Sequence, residues 1–312
     1  MLPTLSTTDL LALLAAIPLA AIGGEGFLKG ILGVATWLRL PKMLVATTLV
    51  AFATSSPELT VSSMAALSGA PEIGLGDALG SNVVNIALIL GIALLFGALP
   101  ANLLEIRRDL TLALLTPLLT LILILDGNLS RGEGFLLLAL FAAWIGLAIR
   151  QAAAHRRQLS LDVDTPGHPV MAWLYVLGGL TCLILAGRLF VSGASGIAVA
   201  LGIHAYVIGA LVVAIGTSLP ELMTMLIARW RGHDDVGLGT LLGSNLFNGL
   251  AIVGTAASIH PIQAPFVEVG AALVFGIITV LLMLPSQGFL SRQRGLVLLG
   301  TYAAFVAATV SL

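Results

Sequence analysis

The sequence predicts an all-α integral membrane protein of ten transmembrane helices, arranged as two inverted five-helix repeats. Three features carry that prediction: an apolar composition, basic residues confined to alternate loops, and an internal repeat.

Composition comes first. Of 312 residues, 58% are hydrophobic and 9% are charged, and the mean hydropathy is +1.08. Soluble domains carry roughly 25% charged residues. Ten spans of about 20 residues fit the length, with no room for a sizeable soluble domain. The net charge of -1 excludes little, because its placement matters more than its sum. Nothing points to nucleic acid or to an obligate protein partner; the expected surroundings are a lipid bilayer. Cys182 is the only cysteine, so no intramolecular disulfide or cysteine metal cluster can form. The first basic residue is Lys29, so the N-terminal apolar stretch lacks the positive region of a secretory signal and reads as the first span.

Apolar runs broken by charge, Gly or Pro give spans at 7–31, 42–69, 72–98, 107–125, 132–152, 169–194, 205–231, 234–258, 264–285 and 289–310. Arg39, Lys42, Arg107, Arg108, Arg150, Arg156, Arg157, Arg229, Arg231, Arg292 and Arg294 all fall in odd loops. The other side has Arg131 and little else. The positive-inside rule then places odd loops in the cytoplasm and both termini outside.

The repeat organises the chain. Residues 24–91 align with 187–254 at constant offset and without gaps. ATSSPEL at 53–59 faces GTSLPEL at 216–222, and IGLGDALGSNVVN at 73–85 faces VGLGTLLGSNLFN at 236–248. From Thr54 onward 17 of 38 pairs are identical, far beyond chance. The offset spans five helices, an odd number, so the copies enter the bilayer in opposite directions. Secondary transporters are often built this way, with the site near the midplane between the copies. The halves are expected at 1–152 and 169–312, joined by a cytoplasmic linker at 153–168. The repeated motifs fall within about 42–98 and 205–258.

Two carboxylates, Glu58 and Glu221, sit near the middle of apolar spans at equivalent repeat positions. A charge at the bilayer centre costs roughly 2.5–3.5 kcal/mol on insertion scales and usually marks an ion path. Thr54 and Ser55 lie four and three residues before Glu58, as Thr217 and Ser218 do before Glu221, so each trio shares a helix face. The competing reading for these hydroxyls is back-bonding to their own helix. Pro57 and Pro220 remove a backbone N–H and free the carbonyls of Ala53 and Gly216. A second cluster, Gly80-Ser81-Asn82 with Asn85, recurs as Gly243-Ser244-Asn245 with Asn248. The combined set is carboxylates, hydroxyls, amides and carbonyls, without central Cys or His. Hard oxygens select hard cations. Calcium takes 6–8 oxygens in flexible geometry, whereas magnesium demands strict octahedra and keeps its water. Two fixed negative charges match one divalent ion.

At these residues the sequence resembles the calcium/cation antiporter superfamily, and within it the bacterial sodium/calcium exchangers. ATSSPE, GSNVVN, GTSLPE and GSNLFN look like that family's paired alpha-repeat motifs, and the resemblance covers essentially the whole chain. It implies a calcium site centred on Glu58 and Glu221, with Thr54 and Thr217 contributing. It implies sodium ligands from Ser55, Ser81, Ser218 and Ser244 and from the backbone carbonyls of Ala51 and Ala214, with Asn85 and Asn248 at central polar positions. It further implies no cofactor, three sodium ions exchanged for one calcium by alternating access, sliding of spans one and six, and residence in a bacterial inner membrane. Glu25, Lys29 and Arg188 on those two spans read as helix-end ion pairs. Two positions depart from the pattern. Ala53 replaces a glycine, and Asn248 stands where many relatives have aspartate, leaving two carboxylates and no third titratable group.

Three rival functions are weighed against this one. A proton-coupled calcium antiporter would use the same glutamates, but the serine-rich motifs look more like sodium ligands. A channel fits poorly with inverted repeats meeting at a midplane site, and there is no ring of charge at a pore mouth. A membrane-embedded enzyme lacks a nucleophile–base set and a zinc signature; His155, His168, His204, His233 and His260 fall near span ends or in loops.

Overall fold

The computed structural model describes residues 6–158, 169–200, 214–264 and 266–311. Most of the expected linker, the first part of the expected seventh span (205–213), His168 and His204 lie outside the described residues.

Apolar sequence becomes helix almost throughout. The helices are α1 Thr7–Leu38, α2 Lys42–Thr54, α3 Ser56–Leu67, α4 Pro71–Leu95, α5 Leu103–Asp126, α6 Arg131–Gln158, α7 Pro169–Ala200, α8 Ala214–Thr217, α9 Leu219–Trp230, α10 Asp234–Ile259, α11 Phe266–Leu282 and α12 Arg292–Val310. Among the described residues seven of them are long and apolar enough to cross a membrane, or eight if α2 and α3, bent by 45° at Ser55, count as one span. The protein is thus an all-α membrane protein. Helix α1 runs seven residues past the expected end at 31, and α5 starts four residues before the expected 107.

Local chemistry sets the helix ends. Ser6 accepts from the Thr8 N–H at 3.2 Å and Asn102 from the Leu104 N–H at 3.1 Å, each satisfying a donor that the first turn leaves orphaned. Ser130 and Glu133 form a reciprocal capping box at α6. Gly69 and Gly232, equivalent in the two repeats, end α3 and α9 at φ +79° and +73°. Only glycine takes that conformation without strain, so each helix stops and the chain turns straight into the next span.

Helices α4 and α10 form the centre. All of the most apolar stretch of α10 and 83% of that of α4 is buried, against 28% for α1. The outer helices turn Leu11, Leu14, Ile17, Ile22, Leu104, Ile122 and Leu125 outward, the apolar girdle that lipid requires. Helices α1 and α7 pack lengthwise on each other through Phe27, Ile31, Val34, Ala172, Val176 and Leu183. Two short antiparallel ladders tie the ends together: Leu99–Pro100 with Phe289–Leu290, and Asn128–Leu129 with Ile262–Gln263. Leu99 and Ile262 are repeat equivalents, so each ladder joins one copy to the other.

Candidate functional site

The site forms where two broken helices meet two continuous ones. Pro57 stands in the first turn of α3 and Pro220 in the first turn of α9, where a missing N–H costs nothing. The break falls at Ser55 (φ -86°, ψ 9°) and Ser218 (φ -81°, ψ 9°). Each break carries Thr-Ser-x-Pro-Glu into the centre. Facing them, α4 and α10 widen into π-helical turns at Val84–Leu90 and Phe247–Ile252, which contain Asn85 and Asn248. Such turns recur at functional sites because they turn side chains and carbonyls off the regular ladder.

Nine of the twelve expected site residues are buried polar side chains, all 0–1% exposed: Thr54, Ser55, Glu58, Ser81, Asn85, Ser218, Glu221, Ser244 and Asn248. Ala51 and Ala214 are buried as well, and Thr217 is half-buried. Ser55 from one repeat and Ser244 from the other donate to the same Glu221 oxygen, at 3.1 and 3.0 Å. Thr54 stands 3.4 Å from Ser244. The matching set around Glu58 is not closed. Ser218 neighbours the Glu58 carboxylate, but among the described residues its hydroxyl and that of Ser81 make no hydrogen bond. Also buried without a hydrogen bond are Glu58 Oε2, Glu221 Oε2, Asn85 Oδ1 and both polar atoms of Asn248. Buried polar atoms are normally paired. Orphaned oxygens contributed by both repeats are available to a cation. Among the described residues no three His, Cys, Asp or Glu side chains converge on a single point, so any such ion must draw on hydroxyl, amide and carbonyl oxygens too.

Several sequence expectations change. The Ala53 carbonyl freed by Pro57 is taken by the Ser56 hydroxyl at 2.7 Å; the second repeat has Leu219 there and no such donor. The Ala51 carbonyl accepts from the Ser55 N–H and the Thr54 hydroxyl. That of Ala214 accepts from the Ser218 N–H and the Thr217 hydroxyl. Back-bonding therefore describes these two threonines in this conformation, and an ion that binds either carbonyl would turn that hydroxyl's proton away while leaving its oxygen free to bind too. Asn85 donates to Asn245 Oδ1 at 3.1 Å. Of the three charges read as helix-end ion pairs, only Glu25 is one among the described residues, with Arg231 at 2.6 Å. Lys29 donates to the Tyr175 hydroxyl and stacks over its ring. Arg188 sits in the body of α7 and lines a cavity of about 420 Å³ with Ser56, Thr60, Thr217 and Pro220.

One residue of the site escaped the sequence reading. Asp77 of α4 accepts from Thr217 Oγ1 at 3.4 Å, and its other oxygen is buried and unpaired. It lies within electrostatic reach of Glu58 and Glu221. The signal was a break in the repeat: GLGDALGSN has aspartate where GLGTLLGSN has Thr240.

A helical membrane protein with an acidic, hydroxyl-rich oxygen site at the junction of two sequence repeats belongs to the class of cation transporters. The profile of the family Sodium/calcium exchanger protein matches residues 8–150 and again 171–310, and the chain belongs to that calcium/cation antiporter family. It is similar to the Inner membrane protein YrbG of Escherichia coli, at 33% identity over 71% of each chain. It is also similar to the Sodium/calcium exchanger MaX1 of Methanosarcina acetivorans, at 27% identity over 96% of this chain and 98% of the relative. Among solved structures, the sodium-calcium exchanger NCX_Mj soaked with sodium and strontium superposes with a TM-score of 0.83. The identity there is 26%, over 96% of this chain and 98% of that one. MaX1 and NCX_Mj are exchangers by name, and the chain, as a member of that family, is a membrane antiporter of cations, not an enzyme.

Proposed function

We propose that the protein exchanges calcium for sodium across a bacterial inner membrane by alternating access, extruding calcium at the expense of sodium inflow. Calcium would sit between Glu58 and Glu221 with Thr54 and Thr217. Sodium would use Ser55, Ser81, Ser218 and Ser244, the Ala51 and Ala214 carbonyls, and oxygens near Asn85 and Asn248. The observation that carries this reading is the set of buried, unpaired oxygens contributed by both repeats around two carboxylates. Names of relatives support the ions: MaX1 and NCX_Mj are both called sodium/calcium exchangers.

The same reading includes ten spans in two inverted halves, 1–152 and 169–312, with both termini outside. Ladders joining the copies, the equivalent turns at Gly69 and Gly232, and a family profile that matches twice support it. The deciding experiment is calcium flux into proteoliposomes with sodium and pH gradients imposed separately. Flux that follows sodium supports the proposal. Flux that ignores sodium and follows pH makes the protein a proton-coupled calcium antiporter.

A further inference from the structure

We propose that Asp77 is a further sodium ligand, which joins the Thr217 hydroxyl and the Ala214 carbonyl in a subsite on the cavity side of the Glu58–Glu221 pair. The subsite rests on the exchanger reading above and deepens it.

The geometry is direct. Thr217 Oγ1 lies 3.4 Å from Asp77 Oδ1 and 3.1 Å from the Ala214 carbonyl, so a carboxylate, a hydroxyl and a carbonyl gather at one point. Asp77 Oδ2 is buried with no hydrogen-bond partner, and so is Oε2 of Glu58, which is 1% exposed. Thr217 also lines the cavity of about 420 Å³, so the subsite adjoins open space. Asp77 is the seventh residue of α4, past the first turn where the helix dipole favours a carboxylate. No cation pairs with it among the described residues. An unpaired acid inside a membrane protein marks an ion path.

The chemistry favours a monovalent ion. The three carboxylates do not converge on one point among the described residues, so Asp77 does not complete the calcium shell. Alone it offers one negative charge and few oxygens, whereas calcium takes 6–8. The second repeat has no counterpart: its Thr240 is bonded back to the Val236 carbonyl at 2.8 Å. The chain thus carries a third carboxylate on α4, in place of one at Asn248 on α10. Three carboxylates balance three sodium ions, and a calcium-loaded carrier keeps one negative charge.

The test uses purified protein in proteoliposomes. Asp77→Asn keeps the shape. Asp77→Thr writes in the residue that the second repeat carries in the same helical register, so the helix should tolerate it. Both should raise the sodium concentration for half-maximal calcium release about tenfold, the loss of one charge-assisted contact, and lower the Hill coefficient by about one; Asp77→Glu should shift it less. Sodium dependence within about twofold of the parent in folded Asp77→Thr overturns the subsite. The parent alone gives a second readout. With residual negative charge on the calcium-loaded form, calcium–calcium exchange without sodium should change rate under an imposed potential, and voltage-insensitive exchange overturns the proposal. A parent with no sodium-driven calcium flux sinks the exchanger reading and the subsite together; normal parent flux with unshifted variants sinks the subsite alone.

Discussion

Asn82 and Asn245 donate to each other's backbone carbonyls, at 3.3 and 3.1 Å. The two are repeat equivalents, so the contact lies on the relation that interchanges the copies. It clamps α4 to α10 at the level of the site, one residue beyond Ser81 and Ser244. Losing either amide removes one of two buried bonds between these helices, at about 0.5–1.5 kcal/mol. In a double-mutant cycle, Asn82→Ala and Asn245→Ala should couple by about 1 kcal/mol. Thermal unfolding in detergent measures it, and additive losses would show that the two bonds act independently.

Glu58→Gln and Glu221→Gln should each abolish calcium exchange while the protein inserts and folds. Each change removes one of two charges available to a divalent ion. The structure adds a difference between them. Glu221 already accepts from Ser55 and Ser244, so Glu221→Gln disturbs a formed network and should lower the unfolding temperature more. Robust calcium exchange by either variant in reconstituted vesicles would remove these residues from the site.

Gly243 explains why the second repeat needs its GSN glycine. A Cβ there would lie 2.2 Å from the Thr47 carbonyl oxygen and 2.7 Å from Ala51 Cβ. Gly243→Ala must therefore push α2 away at the turn before Thr54, costing about 1–3 kcal/mol and most of the flux. Gly300→Ala in α12, where a Cβ meets nothing within 4 Å among the described residues, is the control. Its stability should change by no more than about 0.5 kcal/mol. Equal behaviour of the two would mean that α2 yields at no cost.

Residue 157 offers a test of orientation. Arg150, Arg156 and Arg157 belong to the basic loops expected in the cytoplasm. With Cys182 replaced, Arg157→Cys should resist an impermeant thiol reagent in sealed cells and react once the membrane is opened. Labelling in sealed cells would invert the proposed topology.

The sites most legible in the sequence were those where one residue type carries the whole constraint. The spans expected to end at 69 and 231 stop beside Gly69 and Gly232, where positive φ favours glycine. Glu58 and Glu221 announced themselves because an acid deep in an apolar run needs a reason. Asp77 did not, since it lies near the start of an apolar run and reads as a helix-end charge; its burial depends on how α4 packs against Thr217. The Ser56 hydroxyl that takes the Ala53 carbonyl was hidden for a similar reason, because rotamer choice is set by packing. The π-helical turns at Asn85 and Asn248 have no residue signature, as they change hydrogen-bond register and not composition. The repeat conveyed the symmetry but not its breaking: among the described residues Glu221 accepts from two serines and Glu58 from none.

Sodium coupling and voltage make the final prediction. Calcium movement should follow a sodium gradient and carry net charge. Exchange of three sodium ions for one calcium moves one positive charge per cycle, however the carboxylates share the load between the two forms. Membrane voltage should then act on the cycle at roughly 2.3 kcal/mol per charge per 100 mV. A potassium–valinomycin potential, negative on the side that sodium enters, should speed sodium-driven calcium extrusion, and the opposite potential should slow it. The oxygen inventory supports a third sodium: beyond Glu58 and Glu221 the site holds Asp77 and the unpaired hydroxyls of Ser81 and Ser218. Flux that tracks sodium but ignores voltage would mean two sodium ions per calcium, with Asn248 and Asp77 both failing to hold a third.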